Sequence, residues 1–149
     1  MSKDLDAYRL LVADVYELAG ESRRSSEALA RRVGSTTARW HVLSVVSDGP
    51  RTVASAARRL GLARQSVQRV VDDLVAAGQL VLRDNPDHAR APLVALTGAG
   101  AGTLRRLVEG SDGDRAGVLR AAGVSAAELA QARHVLGRLL TALRRPPGD

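Results

Sequence analysis

The sequence predicts a mainly α-helical protein that carries one small β-hairpin. Three observations lead there. Apolar residues recur at helical spacing over most of the 149 residues. Capping residues and glycines punctuate that pattern at regular intervals. One stretch, RDNPDHARAPLVALT at 83–97, breaks it with two short apolar runs around a polar, proline-bearing loop. The core must be aliphatic, because 45% of residues are apolar but only 2% are aromatic and none is Phe.

Residues 4–33 contain no proline and one glycine, Gly20. Leu5, Tyr8, Leu11, Val12, Val15 and Leu18, then Leu29, Ala30 and Val33, predict one long helix, bent near Gly20. Gly34 suits its stop, and Ser35 or Thr36 caps the next helix at 37–47, with Trp40, Leu43 and Val46 inward. Asp48, Gly49 and Pro50 end that helix. Thr52 caps a short helix, 53–60, which Gly61 breaks. A fourth helix opens at Ala63 or Arg64 and runs to Ala77, with Val67, Val70, Val71 and Leu74 on its buried face. Leu62, past the turn, is expected to tuck into the core.

Two helices joined by a tight glycine-bearing turn make a helix-turn-helix. The outward face of the second carries Arg64, Gln65, Ser66, Gln68 and Arg69, donors and amides that reach base edges and phosphates. A generic amphipathic helix also has a polar face, so this segment alone divides evenly between the two readings. Leu80–Leu82 and Leu93–Leu96 then read as strands, with Pro92 at an edge position where it need not donate. A hairpin directly after a recognition helix is a wing, and its loop holds Arg90 out where a minor groove favours arginine. Asp84 or Asp87 is expected to pair with Arg90. Thr37, Arg51 and Thr52, near helix N-termini, are candidate contacts to the phosphate backbone.

After Thr97 helical spacing returns with Leu104, Leu107, Val108, Val118 and Leu119. GSDGD at 110–114 predicts a kink or break. Ser125 with Glu128 makes a capping box, and Leu129, Ala132, Val135, Leu136, Leu139, Leu140 and Leu143 form a broad apolar stripe up to Arg145. PPGD reads as a frayed tail. Residues 37–97 form a winged helix-turn-helix able to bury its own core, while 1–36 and 98–149 form a helical region around it. A long exposed leucine stripe is unfavourable in a monomer. Leu5, Leu11, Leu136, Leu139, Leu140 and Leu143 are therefore assigned to a two-fold homodimer interface, against the alternative that these helices cover the winged unit of their own chain.

Lys plus Arg number 22 against 16 Asp plus Glu, a net charge of +6, and the only lysine is Lys3. A GC-rich genome accounts for arginine over lysine but not for the cationic surplus, which points to a polyanion such as double-stranded DNA. With no cysteine there are no disulfides, thiol sensors or thiolate metal sites. His41, His88 and His134 lack ligand spacing, so neither metal nor cofactor is expected. Asp72 and Asp73 are adjacent on a helix and point apart, so they are no acid–base pair; Asp73 stands at i, i+4 from Arg69. GAGAG at 98–102 lacks the residues of a phosphate loop. No nucleophile–base arrangement is visible, and no enzyme is expected. MSKDLDAYRLL does not read as a signal peptide, and no run of about 18 apolar residues occurs, so no membrane span and a cytoplasmic location are expected.

The order of elements resembles the MarR family of bacterial transcriptional regulators over nearly the whole chain. The most specific parts are TVASAARRLGLARQSVQRVVDDLVAAGQL at 52–80 and DNPDHARAPLVALTGAG at 84–100. In that family the wing carries an acidic residue and an arginine pair before an apolar-Leu-Thr-x-x-Gly ending. Leu96, Thr97 and Gly100 match the ending and Arg90 matches the second arginine, whereas Ala89 departs from the first. His88 stands where the family often has Asp. The resemblance implies a homodimeric, nucleoid-associated regulator, most simply a repressor, reading a pseudo-palindromic operator and released by a small aromatic or lipophilic effector. It implies an effector pocket near Tyr8, Tyr16, Arg39, Trp40 and His41, although a Trp on an apolar helix face is more often core. The alternative function is a winged-helix protein–protein adaptor, which should show exposed aromatics or leucines on the reading face.

Overall fold

The computed structural model describes residues 2–145. The PPGD tail expected to fray lies outside them. The order is α1 (Lys3–Arg32), α2 (Thr37–Ser47), α3 (Val53–Leu60), α4 (Arg64–Ala76), β1 (Leu80–Arg83), β2 (Leu93–Leu96), α5 (Gly98–Ala122) and α6 (Ala126–Leu143). The chain divides into two units, Met1–Gly110 and Ser111–Asp149.

Capping chemistry sets most boundaries in the first unit. Ser2 and Thr36 accept hydrogen bonds from Asp4 and Arg39 backbone N–H groups, starting α1 and α2. Thr52 accepts from the Ser55 N–H and starts α3. Gly61, at φ 66°, closes α3 in the left-handed conformation. α1 is a single 30-residue helix through Gly20. β1 and β2 pair antiparallel, with Leu80 opposite Leu96 and Leu82 opposite Val94.

The core is aliphatic around Trp40. Val42, Leu43, Val46, Ala56, Ala57, Val67, Val71, Leu74, Leu80 and Val94 come from α2, α3, α4 and the hairpin. Leu29 and Ala30 of α1 and Leu107 of α5 complete it, so the core reaches beyond residues 37–97. Leu62 does not enter it. It is 42% exposed, because the turn after Gly61 returns its N–H to the Ala57 carbonyl and leaves the side chain beside the helix ends.

Of the kink or break expected at GSDGD, the break does not occur, because α5 continues through it as one helix. Once flanking turns exist, propagation through a few poor formers costs about 0.5–1 kcal/mol each, less than a second nucleation. In the second unit Gly123 ends α5 at φ 64°, and Ser125 and Glu128 form the expected reciprocal capping box. No residue of α6 is buried, and Leu140 and Leu143 are 41% and 68% exposed. No described helix is long and apolar enough to cross a membrane.

Candidate nucleic-acid interface

On α4 the 3.6-residue period sends Val67, Val71 and Leu74 inward and leaves Arg64, Gln65, Ser66, Gln68 and Arg69 all exposed. The helix N-cap is Ala63, which offers no side-chain hydrogen bond. The first-turn N–H groups of α4 therefore lack the side-chain oxygen that satisfies those of α1, α2, α3 and α6, and such a helix start suits a phosphate. Asp73 and Arg69 do not form the expected ion pair. Instead the Gln68 amide donates to the Asp72 carboxylate at 2.9 Å.

The wing is braced from within. The Asn85 side-chain amide donates to the Ala91 carbonyl at 2.9 Å, and its oxygen accepts from the Asp87 N–H at 3.1 Å. The His88 N–H donates to the Asn85 carbonyl, and the Ala91 N–H to that of His88. These four bonds close the loop and leave His88 and Arg90 exposed on it. No ion pair joins Arg90 to Asp84 or Asp87 among the described residues, so the acids do not hold the arginine; the loop backbone does. Asn85 was not marked out by charge, although an Asn-Pro dipeptide is an Asx-turn signal.

The three proposed phosphate contacts at helix starts sit differently. The Thr52 hydroxyl is engaged as the α3 cap. Arg51 is half-buried: its main chain pairs with Val94 and its Nε donates to the Val45 carbonyl at 3.0 Å. The Thr37 hydroxyl oxygen is buried and has no hydrogen-bond partner among the described residues.

Thr37 also borders a cleft of about 450 Å³ with Arg23 and Glu27 of α1, His41 of α2, and Arg59, Leu60 and Leu62 at the end of α3. Of the residues expected to line an effector pocket, only His41 does so here. Trp40 is 2% exposed in the core, Tyr16 is 77% exposed on α1, and Tyr8 and Arg39 are half-buried elsewhere. Arg23, Arg59 and Leu62 were not legible as pocket residues, because they meet His41 only through packing of three helices. The α4 face carries no large apolar side chain, but Val81 and Leu82 of β1 are 40% and 49% exposed.

The family model described as MarR family matches residues 33–91. An uncharacterized protein of Mycobacterium tuberculosis is 49% identical over 142 residues, covering 93% of this chain and 96% of that protein. Among solved structures, a mutant of Escherichia coli MarR complexed with operator DNA is 21% identical, covering 93% of this chain and 99% of that one at a TM-score of 0.67. CouR from Rhodococcus jostii bound to p-coumaroyl-CoA is 18% identical, covering 84% and 87% at a TM-score of 0.71.

Proposed function

Because the chain belongs to the MarR family of transcription regulators, DNA-binding proteins rather than enzymes, we propose that it is a homodimeric repressor reading a pseudo-palindromic operator. The observation that carries this is the pairing of two exposed features on one lobe: the Arg64–Arg69 face of α4, at an uncapped helix start, and Arg90 on a wing loop closed by Asn85. Arg64, Gln65, Ser66, Gln68 and Arg69 read base edges and phosphates in the major groove, and Arg90 enters the minor groove with His88 beside it. Two such lobes about one helical turn apart require a two-fold dimer. Leu5, Leu11, Leu136, Leu139, Leu140 and Leu143 supply it, since the helices that carry them leave apolar side chains exposed in the single chain. The operator complex known for E. coli MarR supports the reading at the level of fold.

A small organic anion is the effector in this reading. The cleft at His41 is lined by two arginines, Arg23 and Arg59, against one acid, Glu27, with the buried Thr37 hydroxyl and the apolar Leu60 and Leu62, and its volume suits a small ligand. CouR, a fold relative, is known with an acyl-CoA bound. The adaptor alternative rests on Val81 and Leu82, which are exposed on β1 rather than on the reading face.

The test is fluorescence anisotropy on the duplex immediately upstream of the protein's own gene, against a scrambled duplex, over a salt series. Tight binding to the first with a steep salt dependence is expected. Equal, weak binding to both would refute sequence-specific regulation and favour the adaptor alternative.

A further inference from the structure

We propose that Thr97 is a positioning residue for DNA recognition, a clamp that fixes the end of the recognition helix α4 to the start of α5 and so sets the angle at which the reading face is presented. The inference rests on the reading of α4 as the recognition helix. Three bonds carry it. The Thr97 hydroxyl donates to the Gly78 carbonyl at 2.6 Å. The same oxygen accepts from the Gly100 N–H at 3.1 Å, capping α5. The Thr97 N–H donates to the Gln79 carbonyl at 3.2 Å.

Gly78 and Gln79 follow the Ala77 cap of α4 and lead directly into β1. Gly78 stands at φ 73°, and the Gln79 N–H returns to the Leu74 carbonyl. Both of their carbonyls find their partner in one residue, Thr97. The approach is close enough to dictate the next residue as well: a Cβ at Gly100 would lie 2.0 Å from the Gln79 oxygen. The turn that follows α4 thus approaches the first turn of α5 backbone to backbone at Gln79 and Gly100. Sliding or rotation of α4 relative to that turn breaks the Thr97 bonds to the Gly78 and Gln79 carbonyls together, while the Thr97–Gly100 cap moves with α5. Sequence discrimination rests on hydrogen bonds to base edges, which are directional, whereas attraction to the phosphates is electrostatic and sequence-independent. Thr97 therefore acts on discrimination, not on general affinity for DNA.

The test compares Thr97→Val, which keeps the shape and loses the hydroxyl, with Thr97→Ser, which keeps it. The probe is the duplex upstream of the protein's own gene, against its scrambled counterpart, with hydrogen exchange on the free protein alongside. Thr97→Val should reduce discrimination between the two duplexes about tenfold, leave scrambled-duplex affinity and its salt slope unchanged, and speed exchange of the Ala77–Leu80 amides. Thr97→Ser should restore all three. Wild-type discrimination or unchanged exchange in Thr97→Val overturns the proposal, and so does equal loss on both duplexes. Should Thr97→Val not fold, loss of discrimination in a folded Thr97→Ser overturns it and retention upholds it. If the wild type itself fails to discriminate, the regulator reading falls, while the exchange measurement still decides whether Thr97 holds α4.

Discussion

Arg51 and Val94 exchange both main-chain hydrogen bonds, the Arg51 N–H to the Val94 carbonyl at 3.0 Å and the Val94 N–H to the Arg51 carbonyl at 2.6 Å. Val94 faces Leu82 on its other side, so β2 lies between β1 and the Arg51 segment. The Arg51 side chain turns back to the end of α2, where its Nε meets the Val45 carbonyl. A residue whose charge and position suggested a phosphate contact is placed as a strut from α2 to the wing.

That placement separates two arginines that look alike in the sequence. Arg51→Ala should lower stability by about 1–2 kcal/mol, the loss of a part-buried bond from a charged donor, and leave the salt slope of DNA binding unchanged. Arg90→Ala should do the reverse, weakening DNA binding by about 1–3 kcal/mol with no change in melting temperature, since the side chain is exposed. Denaturant titration and anisotropy on both variants check this. A fall of about one in the salt slope of Arg51→Ala would return Arg51 to the phosphate-contacting set.

Elements were legible where the chemistry is local. Thr36, Thr52, Gly61 and the Ser125–Glu128 pair mark helix ends by bonds that span three or four residues, and the structure keeps each of them. The outward face of α4 followed from period alone. What pattern could not give are relations between distant segments: Arg51 with Val94, Thr97 with Gly78, and His41 with Arg23 and Arg59. GSDGD misled for a related reason, because propensity is a local preference that a helix established on both sides overrides.

Glycines in α5 fall into two kinds that composition does not separate. Gly100→Ala drives a Cβ to 2.0 Å from the Gln79 carbonyl oxygen, a backbone atom with little room to give. It should cost about 1–3 kcal/mol. Gly113→Ala meets nothing within 4 Å in mid-helix, so it should stabilise by about 0.5–1 kcal/mol through helix propensity. Urea denaturation of the two variants measures the contrast, and a neutral Gly100→Ala would mean that the junction yields.

The apolar stripe of α6 makes a claim about assembly. Leu139 is half-buried and Leu140 is 41% exposed, and no residue of this helix is buried in the single chain. Replacing both with glutamate should convert a dimer into a folded monomer, as read by sedimentation equilibrium, with far-UV helicity largely kept. Operator affinity should collapse with it, because one lobe then reads one half-site. An unaffected dimer would place the interface elsewhere.

The capping box of α6 carries the clearest pH signature. Glu128 is held below its ordinary value of 4.5, first by the hydrogen bond from the Ser125 backbone N–H and then by the one from the Ser125 side chain. The Ser125 N–H donates to the Glu128 carboxylate at 2.8 Å, and the Glu128 N–H donates to the Ser125 hydroxyl at 3.2 Å. A depressed carboxylate stabilises the folded state above its unfolded pKa and loses that contribution as pH falls through the folded value. The melting-temperature difference between wild type and Glu128→Gln should therefore be steady above 4.5 and shrink below it. Ser125→Ala removes only the hydroxyl, so the Ser125 N–H bond should keep Glu128 depressed, by less. Carbon-detected NMR titration of the Glu128 carboxyl reads this directly, and a midpoint at or above 4.5 in the wild type would show that the box is open in solution.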